Sequence, residues 1–371
     1  MRILFVTHHY LSGKGGGIFA SRSFINALAE TGAEVTLLYP VKGEERAEEI
    51  DPRVRLIPVG YEVPRWRKGL DLLLGRIHRY FGIMETYLEE GYDRVVFDTC
   101  YPSFRMLKKV RKASPGIVTI HHNCQWEYAR DNTSTFLRPL MLFWLRRCEG
   151  QSVRGSDLNL TLTPEDKELL YRMYDPGRKA RIEVVGVHEY QRTCLPPASS
   201  TREPVFIISG NLGAKQTEDA LLPWLRDCYP ELKRQVPDAR LILAGQAPSE
   251  RLAALCLERD IELIPSPPEM GPILRRARYY ICPTDRGGGI KLRIMDGLRY
   301  GLPVLTHAVS ARGYQRFLGT ALFVYEDADS FGTALSAMLA ARTDAEEVRR
   351  RYQEVFSFDA CVAAMRQYLW P

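Results

Sequence analysis

The chain has 371 residues, 45% of them hydrophobic and 26% charged, with a formal charge of +6. This composition excludes a disordered or fibrous chain, and the length allows two ordinary domains. No run approaches the roughly 18 apolar residues of a membrane span, and eight scattered cysteines without a CxxC pair fit reduced thiols in the cytosol and suggest neither a disulfide framework nor a structural zinc site.

In chain order, MRILFVTHHY lacks the plan of a signal peptide and reads as a first strand over residues 2–7. His8-His9-Tyr10 and the loop Ser12-Gly13-Lys14-Gly15-Gly16-Gly17 follow, then a helix over about 18–31 with Phe24, Ile25, Leu28 and Ala29 at helical spacing. Val35–Tyr39 is the next strand. Strand, glycine loop, helix and strand make a Rossmann-like half, although the loop has no clean GxGxxG and no acid closes the second strand. Further strands are expected at 54–59, 94–98, 117–121, 158–162 and 182–187, with helices over roughly 69–90, 102–112, 135–153 and 164–174. Pro164-Glu165-Asp166 starts the last of these with proline at its first position and acids in its first turn.

The stretch 189–204, with Pro196-Pro197 and Ser199-Ser200, reads as a linker. A second α/β pattern follows: strands at 205–209, 240–244, 261–264, 279–282, 304–306 and 321–324, and helices near 217–235, 249–258 and 269–277. The fold class is therefore α/β, two Rossmann-like domains in tandem, with an interdomain cleft expected between them.

The most telling stretch is Gly287–Pro303, GGGIKLRIMDGLRYGLP. Three glycines leave backbone N–H groups free to face an anion, and the following helix adds the positive end of its dipole. Lys291, expected at the start of that helix, can place a charge on a phosphate, and Asp296, about one and a half turns in, can accept from a ribose diol. An ordinary βαβ turn with a capping charge also fits.

The charge excess is local: residues 1–195 hold 29 Lys and Arg against 24 Asp and Glu. Arg65, Arg67, Lys68, Arg76 and Arg79 surround Trp66 and Leu70–Leu74, and Lys108, Lys109, Arg111 and Lys112 form a second cluster. Basic residues beside Trp and leucines suit an anionic membrane surface; a solvated helix face fits equally. Neither cluster carries a nucleic-acid motif.

Taken together, MRILFVTHHY with GGGIFASRSFINALAETGAEVTLL, LTLTPEDKELLYRMY, Val205–Gly210 with VPDARLILAG, and Cys282–Thr306 resemble a family 4-type glycosyltransferase of the GT-B fold, nearly end to end. Cys282–Thr306 is similar to the family's GSGTKLKILEALAAGLPVV donor-binding variant. The resemblance implies retaining transfer from a nucleotide sugar, UDP- or GDP-linked, as substrate, with no further cofactor. It implies an acceptor-binding domain over residues 1–190, a linker over 191–204, a nucleotide-sugar-binding domain over 205–355, and a C-terminal helix over 356–371 packing back on the first domain.

By position, Asp296 matches the ribose-binding glutamate, Lys291 a basic residue near the diphosphate, and Gly288, Gly289 and Ile290, with Leu292 beside them, the backbone loop that contacts the donor. Gly16 and Gly17 match the loop that closes over the diphosphate, and His121 a histidine near the transferred sugar. Gly210, Asn211 and Lys215 stand where the family has an Arg/Lys pair, of which only Lys215 remains, and Arg286 can reach phosphate or pair with Asp285. His122 and Asp98 are the acceptor-side candidates; Asp98 equally suits a helix cap. Trp126, Tyr128 and Arg130 fit either an acceptor groove or an aromatic loop packed on its own domain. The family's first glutamate is replaced by Gly288.

No DxD-type acid pair stands in a loop suited to Mg²⁺ or Mn²⁺, and no enzyme nucleophile is evident, so a metal-independent, same-face attack is expected. The expected partners are a nucleotide sugar, a glycan or lipid-linked acceptor and an anionic membrane surface, without nucleic acid, for a cytoplasmic chain peripheral at the inner face of the membrane in cell-surface polysaccharide or glycolipid synthesis. The alternatives are a nucleotide-sugar 2-epimerase of the same fold and a non-catalytic GT-B-like partner protein.

Overall fold

The computed structural model describes residues 1–13, 15–43, 46–60, 79–100, 104–114, 116–133, 136–198 and 203–369. The chain forms two compact units: Met1–Thr193 with Phe356–Pro371, and Cys194–Val355. Among the described residues, no helix is long and apolar enough to cross a membrane.

The first unit is built on seven parallel strands, β1 (Arg2–Thr7), β2 (Glu34–Val41), β3 (Arg55–Gly60), β4 (Arg94–Asp98), β5 (Gly116–His121), β6 (Leu158–Thr161) and β7 (Ile182–Val184), in the order β3-β2-β1-β4-β5-β6-β7. The central strands are near-continuous apolar runs because helices cover both faces of a parallel sheet; β1 is buried from Ile3 to Thr7. The helices are α1 (Gly16–Glu30), α2 (Phe104–Ala113), α3 (Gln125–Asn132), α4 (Arg138–Gly155) and α5 (Pro164–Tyr174). At the head of α5 the Thr163 hydroxyl accepts from the Asp166 N–H, behind a proline that needs no partner. The C-terminal helix Phe358–Leu369 packs on α1, where the Ser23 hydroxyl meets the Cys361 thiol at 3.3 Å.

The second unit holds six parallel strands, β8 (Val205–Asn211), β9 (Arg240–Gln246), β10 (Glu262–Pro265), β11 (Tyr279–Cys282), β12 (Val304–His307) and β13 (Leu322–Tyr325), in the order β10-β9-β8-β11-β12-β13. Its helices are α6 (Lys215–Asp227), α7 (Tyr229–Gln235), α8 (Glu250–Glu258), α9 (Gly271–Leu274), α10 (Arg293–Arg299), α11 (Ala328–Ala340) and α12 (Ala345–Phe356). Its core gathers Phe206, Ile208, Leu221, Trp224, Leu243 and Phe331. Both sheets have the doubly wound order that reverses beside the first strand.

Four expectations change. The helix expected over 217–235 is broken at Cys228, because Pro230 begins a new helix and cannot donate to the preceding turn. The strand expected over 182–187 stops at Val184, two residues before Gly186 takes φ +80°. Of the helix expected over 69–90, Arg79–Glu90 is a 3₁₀ helix and the rest lies outside the described residues, with Arg65, Trp66, Arg67, Lys68, Leu70–Leu74 and Arg76. Trp126, Tyr128 and Arg130 lie on α3 rather than a loop, with the Arg130 guanidinium 5.4 Å from the Trp126 ring.

Candidate functional site

In a doubly wound sheet, ligands bind outside the carboxyl ends of the strands where the order reverses. Those points lie between β1 and β4 in the first unit and between β8 and β11 in the second. Each gathers polar and charged groups.

In the second unit, β8 and β9 end in glycines that let two backbones nearly touch. Gly245 has φ +159°, and a Cβ there would stand 1.7 Å from the Gly210 carbonyl oxygen. Gly210 has φ +132°, and a Cβ on it would stand 3.1 Å from the Arg293 guanidinium carbon. Arg293 therefore reaches from the start of α10 across bare backbone at the end of β8. Its Nη2 donates to the Thr217 hydroxyl at 3.2 Å, on the first turn of α6, while its buried Nη1 has no hydrogen-bond partner. A guanidinium N–H2 held near a helix start and left unsatisfied suits an anion.

The glycine loop after β11 lies beside it. Gly287 and Gly289 take φ +87° and +70° and are buried with Gly288, while Ile290 and Leu292 are half-buried. Lys291 Nζ donates to the carbonyls of Gly287 and Gly288 at 3.1 Å each, so the lysine braces the loop. It precedes the helix rather than starting it: α10 begins at Arg293, and the Lys291 carbonyl accepts from the Tyr314 hydroxyl at 2.9 Å. Asp296 is exposed in the first turn of α10. Lys215 opens α6 and, like Asn211, is exposed. Arg286 pairs with Asp285 at 3.0 Å and stands 3.9 Å from Asp219, and its carbonyl accepts from Gln216, which ties the loop to α6.

In the first unit, the ends of β1, β4 and β5 bring His9, Asp98 and His122 together. Asp98 is wholly enclosed. Its Oδ2 accepts from the hydroxyls of Thr7 at 2.8 Å and Ser21 at 2.5 Å, and its Oδ1 accepts from His122 Nε2 at 2.6 Å. Burial pushes its pKa up, but the facing His122 charge and hydrogen bond, with His9 and Ser21, outweigh that and hold it below the ordinary value. The His9 and His122 rings stand 5.2 Å apart. Burial, aided by His122 and opposed by Asp98, lowers the His9 pKa to about 4. Gly16 and Gly17 open α1, and Gly17 must lack a side chain because a Cβ would lie 2.7 Å from the His9 ring.

Two sequence expectations shift here. His121 is 1% exposed, with its Nε2 at 3.0 Å from Asn159 Oδ1, so it offers no open face to a ligand. Period-2 alternation turns it into the layer between β5 and α4 and leaves its neighbour His122 on the Asp98 side. Asp98 is enclosed and, among the described residues, accepts from the side chains of Thr7, Ser21 and His122 and not from a helix N–H.

Beside this cluster α4 and the Ser156 that caps its C-terminus bury a polar stripe, Glu149, Ser152 and Ser156. Ser156 meets the Thr119 hydroxyl at 2.8 Å, and Ser152 donates to the Cys100 carbonyl at 3.1 Å. Glu149 accepts from the Gln125 and Trp126 N–H groups, the free donors at the head of α3, and from the Tyr174 hydroxyl at 2.7 Å. Burial raises its pKa against those bonds. Among the described residues two groups have metal-ligating geometry: His9 with Asp98 and His122, and Cys100 with His121 and Glu149.

The model described as "Glycosyl transferase 4-like domain" matches residues 15–188, and that described as "Glycosyl transferases group 1" matches residues 203–341. The chain belongs to the family 4-type glycosyltransferases of the GT-B fold. Solved structures agree on the fold of this transferase. Sucrose-phosphate synthase from Thermosynechococcus elongatus has a TM-score of 0.71 at 16% identity, over 99% of this chain and 98% of its own. HepE of Anabaena, solved in complex with UDP, has 0.68 at 12%, over 100% and 99%. A glycosyltransferase from Rickettsia africae ESF-5 has 0.65 at 10%, over 99% and 97%. No curated protein matches the transferase by sequence.

Arg293, Glu149 and His9's packing on Gly17 are what sequence reasoning missed. Arg293 reads as an ordinary helix charge. The signal was the glycine at position 210 together with the missing arginine after β8.

Proposed function

We propose that the transferase moves a sugar from a UDP- or GDP-linked donor to an acceptor hydroxyl with retention, and that its own cations stabilise the leaving diphosphate without a catalytic metal. The observation that carries this reading is the buried, unpartnered Nη1 of Arg293 at the glycine-lined end of β8. Arg293 supplies the second cation where the stretch after β8 offers only Lys215. With Lys215, the backbone of Gly288, Gly289 and Ile290 and the lysine-braced loop beside Leu292, it neutralises charge on the diphosphate as the anomeric bond breaks. Lys291 holds that loop open, Arg286 anchors it to α6, and Asp296 accepts from the ribose hydroxyls. That the HepE structure was solved with UDP supports a uridine donor.

The acceptor hydroxyl attacks the anomeric carbon on the face that the diphosphate leaves. Its O–H bond breaks, its oxygen bonds to carbon, and its proton passes to the departing phosphate oxygen. The Asp98–His122 pair positions the acceptor through the histidine ring, and Gly16 and Gly17 offer backbone N–H groups at the head of α1. His121 supports His122 from below.

The acceptor class is a glycan or lipid-linked hydroxyl, and the setting is the cytoplasmic side of the membrane in surface polysaccharide or glycolipid synthesis. Support is the basic face of α2, where Lys108, Lys109, Arg111 and Lys112 are all exposed, Lys109 beside Glu85 and Arg111 beside Asp157.

Incubation with a panel of UDP- and GDP-sugars tests the reading, with slow donor hydrolysis followed by chromatography and the product anomer by NMR. Released nucleotide with a retained anomer is expected. An inverted anomer overturns the mechanism, a changed sugar without nucleotide release favours the 2-epimerase, and the absence of both binding and hydrolysis favours a non-catalytic partner.

A further inference from the structure

The layer between β5 and α4 holds metal-ligating groups that take no chemical step in the transfer reaction. Cys100 follows β4, His121 ends β5 and Glu149 lies on α4; all three are buried, and one ligand atom from each lies within 4.8 Å of the others. The His121 tautomer is fixed by its neighbours. Asn159 Nδ2 donates to the Val153 carbonyl at 3.0 Å, so its Oδ1 faces His121 and must accept from His121 Nε2. That leaves His121 Nδ1 as a bare lone pair, enclosed and without a hydrogen-bond partner. Glu149 Oε1 accepts from the Gln125 N–H at 2.7 Å and keeps a second lone pair.

We propose that Cys100 Sγ, His121 Nδ1 and the Glu149 carboxylate form a buried structural site for one borderline divalent cation of the zinc class. A thiolate, a neutral imidazole and a carboxylate are the ligand types such an ion takes. Their two negative charges cancel the cation's two positive ones, so the occupied site enters a dry interior without net charge. Tetrahedral zinc with bonds of about 2.0–2.3 Å sets its ligand atoms roughly 3.5 Å apart, a contraction from the separations of up to 4.8 Å found here, and a water takes the fourth position. Binding releases the Cys100 thiol proton to solvent. The cation then ties the ends of β4 and β5 to α4 and fixes the strand ends that carry Asp98 and His122. Spacing alone does not show this site, because its ligands stand 21 and 28 positions apart on separate elements.

The other group, His9 with Asp98 and His122, is the weaker candidate, because His122 Nε2 already donates to Asp98 Oδ1 at 2.6 Å and a cation would have to displace that bond. It also contains no sulfur, which separates the two by experiment. The site does not depend on the proposed transfer reaction and can fail without it.

The test uses the full chain with the exposed Cys194 replaced (Cys194→Ser), stripped with chelator and titrated with Co²⁺ as a coloured surrogate for Zn²⁺. The expected result is one Co²⁺ per chain with a near-ultraviolet sulfur-to-cobalt charge-transfer band that one equivalent of Zn²⁺ abolishes. Cys100→Ala should lose the band, and His121→Asn should keep the thiol but bind Co²⁺ at least tenfold more weakly. X-ray absorption of the cobalt protein needs no variant and should find sulfur in the coordination shell. An absent band, a band that survives Cys100→Ala, or an all nitrogen-and-oxygen shell overturns the proposal.

Discussion

The first unit furnishes the switch point of its sheet with side chains that satisfy one another: Asp98 is enclosed by Thr7, Ser21 and His122, and Glu149 by four donors. The second furnishes the same place in its own sheet with bare backbone, from Gly210, Gly245 and Gly287–Gly289, and with cations reaching over it. Six of the seven histidines lie in the first unit, one in the second. The same strand order thus supports two chemistries. Enclosed, pre-satisfied groups hold a fixed geometry and respond to protons. Glycine backbone without side-chain cover and an unpartnered guanidinium wait for an anion to complete them.

Acid should separate the two most strongly. Burial holds His9 and His188 neutral, each with its pKa lowered from 6.5 to about 4. The unfolded chain therefore binds more protons than the folded one between those values. The contribution of these histidines is full above pH 6.5 and falls as pH drops through the window, by about 1.4 kcal/mol per pH unit for each. Hydrogen exchange at pH 7 and pH 5, corrected for intrinsic rates, should show loss of protection in β1, β4 and β5 before β8, β9 and β11. Equal loss in both sheets would mean that the buried histidines do not set the difference.

The second unit should instead be brittle at its glycines. Gly245→Ala places a methyl against the Gly210 carbonyl and should cost about 3 kcal/mol or more, read by urea unfolding. A cost below about 1 kcal/mol would mean that the two strand ends separate easily. Smaller still, Asp296→Asn keeps the size of an exposed side chain but removes its charge; it should weaken nucleotide-sugar use about tenfold, seen in KM, with an unchanged melting temperature. An unchanged KM would remove Asp296 from the ribose site.

Much of this difference was legible in the sequence. The strands stood out as short apolar runs closed by Gly, His or Asp, and the glycine loop was visible as GGG followed by Lys291 and Asp296. What stayed hidden depends on contacts distant in sequence. α3 has no apolar face of its own and starts where Glu149 of α4 caps it. His121 and His122 are adjacent letters, and only the pleat decides which of them meets Asp98. Arg293 looks like a solvated helix charge until Gly210 opens the space above β8. Cys100, His121 and Glu149 share no spacing pattern.

The central claim, that the second unit holds a nucleoside diphosphate against Arg293, is tested most directly by calorimetric titration of UDP and GDP into the full chain and its Arg293→Ala variant. One nucleotide per chain is expected, with binding about a hundredfold weaker in the variant, the loss of one charge-assisted pair. Equal affinity in the two proteins, or no binding of either nucleotide to the unaltered chain, would contradict it.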